Sequence, residues 1–164
     1  NLINFVKWLL PFHRKFRQLN KNKRGNYLIP LISTSEVREI SPSGKLINSF
    51  KVEGTPFTTL ESTDGNYWIA CGDGHTLIEV NPNDGQIIRR YNENDIKGVR
   101  LFFTAGLCKS ADGNLYICNW QGHSHDANAA NSPQLFEINQ KGEVIWSLND
   151  NQTSGMISAV STIN

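Results

Sequence analysis

Three stretches of this chain are copies of one another, and that repetition constrains its fold more than its composition does. Gly65-Asn66-Tyr67-Trp68-Ile69 is matched by Gly25-Asn26-Tyr27-Leu28-Ile29 before it and by Gly113-Asn114-Leu115-Tyr116-Ile117 after it. A second motif follows each: Val37 to Ile47, Leu77 to Ile88 and Leu135 to Ile145, each built around a Pro-, Asn- or Lys-containing turn that ends in glycine. The turn glycine recurs after 40 and then 48 residues, from Gly25 to Gly65 to Gly113.

Each unit reads as four strands. In the middle one, Phe57–Ser62 is a first strand, Thr63-Asp64-Gly65-Asn66 a turn that needs positive φ, and Tyr67–Cys71 a second strand. Gly72-Asp73-Gly74 breaks the run, His75–Asn81 is a third strand, Pro82-Asn83-Asp84-Gly85 a tight turn, and Gln86–Tyr91 a fourth strand. Outside the first dozen residues no long stretch has apolar residues at helical spacing. Four-stranded units of about 40 to 50 residues are blades, so the fold class is all-β and the architecture a β-propeller with three four-stranded antiparallel blades.

The units divide the chain into 1-12, an apolar segment ending a preceding blade or linking to one; 13-52, the first blade; 53-100, the second with an insertion; 101-150, the third with a long loop 119-133; and 151-164, the first strand of a further blade around Met156–Val160. Propellers close with four to eight blades. Three blades leave two apolar sheet faces open, so the chain is expected to belong to a larger propeller of six or more blades, or to self-associate through its open ends.

The apolar run Asn1–Leu10 is too short to span a bilayer, and no membrane span is expected. The basic cluster after it has the wrong order for a signal peptide. Lys7, Arg14, Lys15, Arg17, Lys21, Lys23 and Arg24 precede the first acid, Glu36, and leave the remainder of the chain acidic. Without interleaved aromatics on a recognisable module, this stretch reads as a solvated strand and turn, and nucleic acid is not an expected partner.

Extra residues collect between the fourth strand of the second unit and the next blade, Asn92–Arg100, and after the second strand of the third unit, Asn119–Pro133. In a blade these two connections emerge on one face, opposite the short glycine turns, and length variation on one face of a repeat array marks a binding face. All four histidines map there: His13, His75, His123 and His125. Asp73, Asn119, Trp120 and Asp126 surround them. His123 and His125 with a carboxylate are ligands that suit a divalent metal, and His123, His125 and Asp73 are candidates for acid–base chemistry. His13, His75, Asn119, Trp120 and Asp126 are candidate ligand contacts. Trp120 suits either stacking on a sugar face or plugging a blade boundary.

Other chemistries are excluded by missing motifs. The chain has no Gly-x-Ser-x-Gly elbow, no phosphate-cradling loop, no dinucleotide fingerprint and no EF-hand loop. Cys71, Cys108 and Cys118 make an odd count without Cys-x-x-Cys spacing, which indicates neither a disulfide framework nor a structural zinc site.

The hairpins Ile40–Ile47 and Ile138–Trp146 resemble the repeats of bacterial PQQ-like and NHL-like β-propellers. The segments Cys71–His75 and Cys118–His125 are similar to an uncharacterised Bacteroidetes-type group of such propellers, often exported. The resemblance implies a periplasmic, cell-surface or secreted location. Of the quinoprotein docking pattern Ala-x-Asp-x-x-x-Gly-Lys-x-x-Trp only Gly44-Lys45 and Gly142 with Trp146 survive, which speaks against PQQ as cofactor.

Three functions follow. The chain binds a small polar or carbohydrate ligand on its histidine face; or it is a lyase or hydrolase of glycans or glycosides using His/Asp or a His-bound metal; or it is a protein-interaction propeller without catalysis.

Overall fold

The computed structural model describes residues 18–124, 126 and 128–162. They form three four-stranded antiparallel sheets, each made from four consecutive strands. The first holds β1 (Asn20–Lys21), β2 (Tyr27–Leu31), β3 (Glu36–Ile40) and β4 (Leu46–Lys51). The second holds β5 (Thr58–Glu61), β6 (Tyr67–Ala70), β7 (Leu77–Val80) and β8 (Ile87–Tyr91). The third holds β9 (Phe103–Lys109), β10 (Leu115–Trp120), β11 (Leu135–Ile138) and β12 (Val144–Leu148). The expected all-β blade architecture is what forms, with single 3-10 turns at Ile32–Thr34 and Ala129–Asn131 between second and third strands.

The turn glycines set this register. Gly25, Gly65 and Gly113 join first to second strands, Gly44, Gly85 and Gly142 join third to fourth, and all six take positive φ. The connections between second and third strands, and those from each fourth strand to the next blade, therefore lie together at the opposite end of the sheets.

The middle strands are buried on both faces, with the pleat sending successive side chains into different cores. Tyr67 and Ile69 of β6, with Ile78 and Val80 of β7, meet Leu28 and Val37 of the first blade. Trp68 and Ala70, with Leu77, meet Leu107, Leu115, Ile117, Phe136 and Ile138 of the third. Fully burying each aliphatic side chain is worth about 1.5–3 kcal/mol, so the boundaries between blades are the hydrophobic core. The outermost strands stay wet: Leu46, Ile47, Ile87, Ile88, Ile145 and Trp146 are exposed.

One buried acid recurs at the same place in every blade: Glu39, Glu79 and Glu137. Each accepts a bond from the asparagine that follows its blade's turn glycine. The distances are 2.6 Å from Asn26 to Glu39, 3.3 Å from Asn66 to Glu79 and 2.9 Å from Asn114 to Glu137. The pair ties the turn between the first two strands to the third strand.

Met156–Val160, expected as the first strand of a further blade, is not paired as a strand among the described residues. Among the described residues there is no second strand for it to pair with, and the segment instead lies along β9. Ile157 and Val160 pack with Phe103, Ala105 and Cys118, and a Cβ on Gly106 would come within 2.8 Å of the Ala159 Cα. The three thiols are free. Burial pushes Cys71 up to about 11 and Cys118 up to about 12, so neither is poised as a nucleophile. No helix among the described residues is long and apolar enough to cross a membrane.

Candidate functional site

The loop after β6 is stitched to the third blade by its own backbone. Gly72 donates to the Thr104 carbonyl at 3.1 Å, and the Thr104 hydroxyl donates to the Thr76 carbonyl at 2.8 Å. Gly72 sits at φ +42°, where a Cβ would lie 2.9 Å from the Phe103 ring, so only glycine lets the loop press this close to β9. The two residues that follow in this loop with side chains to offer, Asp73 and His75, are exposed. His75, itself at positive φ, bonds the Phe102 carbonyl through Nδ1.

From the third blade, β10 delivers Asn119 and Trp120. Asn119, expected as a ligand contact, is instead fully buried. Its Oδ1 accepts the Phe102 amide at 2.7 Å, and its Nδ2 donates to the carbonyls of Arg100 at 2.8 Å and Pro133 at 3.0 Å. The side chain ties both insertions to the blade and has no face left for a ligand. Trp120 is half-buried, and its ring lies where a side chain at Gly122 would stand, 2.1 Å from that position's Cβ. The indole meets Phe103 edge to face at 5.3 Å, and Phe103 meets Phe57 of the second blade at 5.0 Å.

His123 lies over this cluster, 4.5 Å from Trp120 and 5.3 Å from Phe103 between ring centres. Its Nδ1 is 3.0 Å from Asp73 Oδ1, a contact between the loops of neighbouring blades. On one side of the pair is a cavity of about 370 Å³ walled by Ile32, Phe57, Phe103 and Trp120. On the other is one of about 380 Å³ that also takes in His75, Glu93 and Arg100. The structure thus brings together Asp73, His75, Trp120 and His123. Trp120 both packs at the blade boundary and walls the cavities.

Asp126 is set apart by Arg100. That guanidinium bonds Asp126 and reaches Glu93 at 2.6 Å, joining the two insertions. The amide of Asn128 and then Arg100 hold the Asp126 carboxyl below its ordinary value. Arg100 was not singled out in the sequence; its place at the end of the Asn92–Arg100 insertion, opposite the acid-bearing loop, was the available signal. His13 and His125 lie outside the described residues, and with them the two-histidine metal site. Among the described residues no group of three His, Cys, Asp or Glu side chains could hold a metal ion.

A carboxylate on Nδ1 fixes the imidazole's orientation and leaves Nε2 as the nitrogen not engaged by Asp73. Such a nitrogen can accept a proton from, or donate one to, a molecule in the adjoining cavity, while Trp120 and Phe103 offer apolar surface.

Residues 10–143 match the model of the Mal s 1 allergenic protein-like family. The chain belongs to that family. A crystal structure of a protein of unknown function from Bacteroides caccae is 52% identical, with a TM-score of 0.78 over 91% of this chain and 54% of that one. Virginiamycin B lyase from Staphylococcus aureus aligns with a TM-score of 0.63 at 12% identity, over 87% of this chain and 44% of the lyase. BamB from Moraxella catarrhalis aligns at 0.54 and 12% identity, over 82% and 38%. The last two show the propeller fold alone. No curated protein matches in sequence. This member of the Mal s 1-like family spans about half the length of the solved structures it matches. The resemblance to PQQ-like and NHL-like repeats therefore holds for the propeller fold, and the family is the Mal s 1-like one.

Proposed function

We propose that the loop face of this propeller binds a small polar ligand with one flat apolar side, such as a carbohydrate. The reading rests on one observation: Asp73 and His123 bond across a blade boundary, over an aromatic floor and beside cavities large enough for a small molecule. Polar groups at the rim and aromatic rings below are the recognition chemistry of a sugar face. An extracytoplasmic location accords with such a ligand. The test is titration of the full-length protein with a panel of mono- and oligosaccharides by calorimetry. His123→Ala is expected to abolish binding while changing stability by no more than about 0.5 kcal/mol, because the side chain is exposed. Unfolding by that substitution, or unchanged binding, would overturn the assignment.

A second reading is favoured by the same pair. With Asp73 orienting its ring, His123 is placed as a general base or acid, which suits a lyase or hydrolase acting on a ligand in that cavity. Turnover that is lost in both His123→Ala and Asp73→Asn, with binding kept in the latter, would select this reading over simple binding.

A further inference from the structure

The recurrent buried acid is answered differently at the two blade boundaries. Glu39 of the first blade accepts bonds from Asn26, from Asn22 at 2.8 Å, from Arg24 at 3.1 Å and, across the boundary, from the Tyr67 hydroxyl at 3.0 Å. In the next repeat the positions of Asn22, Arg24 and Tyr67 are taken by Ser62, Asp64 and Leu115. The Ser62 hydroxyl turns to Asp64 and to the Asn66 carbonyl. Glu79, only 5% exposed, is left with the long 3.3 Å bond from Asn66 and with Arg89 Nε at 3.7 Å. Where the first boundary holds the phenol of Tyr67, the second holds a cavity of about 280 Å³ lined by Trp68, Glu79, Leu115, Ile138, Thr63 and Gln140.

We propose that this cavity, on the glycine-turn face and apart from the loop site, binds a small hydroxylated aromatic molecule. Its hydroxyl donates to Glu79 and its ring lies against Trp68, Leu115 and Ile138. The first boundary supplies the template, since there a phenol from the chain itself meets the equivalent carboxylate. Three apolar side chains, Trp68, Leu115 and Ile138, beside a buried acceptor short of donors suit a flat ring carrying one donor. The remaining side chains around the cavity, Asp64 and Arg89 among them, are polar. A neutral donor is favoured over an ammonium because Arg89 already supplies a positive charge beside Glu79, and a second cation would add its own desolvation cost.

The probe is para-cresol, the side chain of tyrosine as a free molecule, titrated into the full-length protein and followed by NMR. Saturable binding is expected, with magnetisation transfer from the cresol methyl to Leu115. Toluene, which lacks the hydroxyl, should bind about tenfold more weakly. Leu115→Tyr should abolish cresol binding by filling the cavity from within. Absence of saturable binding, equal affinity for toluene, or cresol binding retained in a folded Leu115→Tyr protein would each overturn the proposal. If Leu115→Tyr does not fold, contact between cresol and Leu115 in the unsubstituted protein decides: its presence supports the site and its absence sinks it.

Discussion

The boundary between the first two blades closes on Glu39 from both sides, whereas the boundary between the second and third reaches Glu79 with one long bond and a distant guanidinium. The two carboxylates occupy the same position of the same fold and are about equally buried. Burial pushes Glu39 up, but the bonds from Asn26, Asn22 and Tyr67 and the charge of Arg24 outweigh it, so its carboxyl stands below the ordinary value. Burial also pushes Glu79 up; Asn66 and Arg89 oppose it only in part, Asp64 adds to it, and the carboxyl stands above the ordinary value. A repeat therefore copies a position without copying its electrostatics, which are set by the side chains around it.

This contrast can be broken at its strongest point by Tyr67→Leu, which gives the first boundary the residue found at the second. Loss of the phenol opens a cavity and leaves Glu39 one donor short, for an expected cost of about 3 kcal/mol in chemical denaturation. A cost under about 1 kcal/mol would mean that the two boundaries do not differ as described.

Glu39→Gln should cost less, about 2 kcal/mol at neutral pH. Because the folded carboxyl is held below its unfolded value, the stabilisation is present above the unfolded value and is lost as pH falls through the folded one. The difference between this variant and the parent should accordingly shrink on acidification.

Glu79→Gln should have the smallest effect and the opposite sign. A carboxyl raised in the folded state favours folding below its unfolded value, and that contribution is lost as pH rises through the folded value. The variant is expected to gain up to about 1 kcal/mol at neutral pH and nothing below about pH 4. Destabilisation at neutral pH would show that Arg89 answers Glu79 more fully than its distance indicates.

Much of the fold was legible because glycine in turns is a backbone requirement that survives in sequence. Gly25, Gly65 and Gly113 marked the blades, and Gly44, Gly85 and Gly142 the outer hairpins. The loop face was legible for the same reason, since strand order alone puts the connections bearing Asp73 and His123 at one end. Asn119 was not legible. A polar residue beside tryptophan in a long loop looks like a ligand contact, and only coordinates show it wholly engaged by backbone groups. The buried Asn–Glu pairs keep a spacing of 13 residues in the first two blades, and the long loop of the third stretches it to 23. The asparagines fall in the glycine turns and the glutamates in strands buried on both faces, which give no cue to which polar residue is enclosed.

The outer hairpin glycines make one further contact. A Cβ on Gly85 would lie 3.0 Å from the Phe50 ring, and one on Gly142 would lie 1.9 Å from the Tyr91 hydroxyl. Phe50 and Tyr91 occupy matching places in β4 and β8, so the first and second blades each present an aromatic ring to the hairpin glycine of the next blade, while β12 carries Leu148 at that place. A tandem duplication of such a unit carries both halves of the joint with it. The array can lengthen by copying alone, without any new contact having to arise, and later change is free to fall on the loops at the far end.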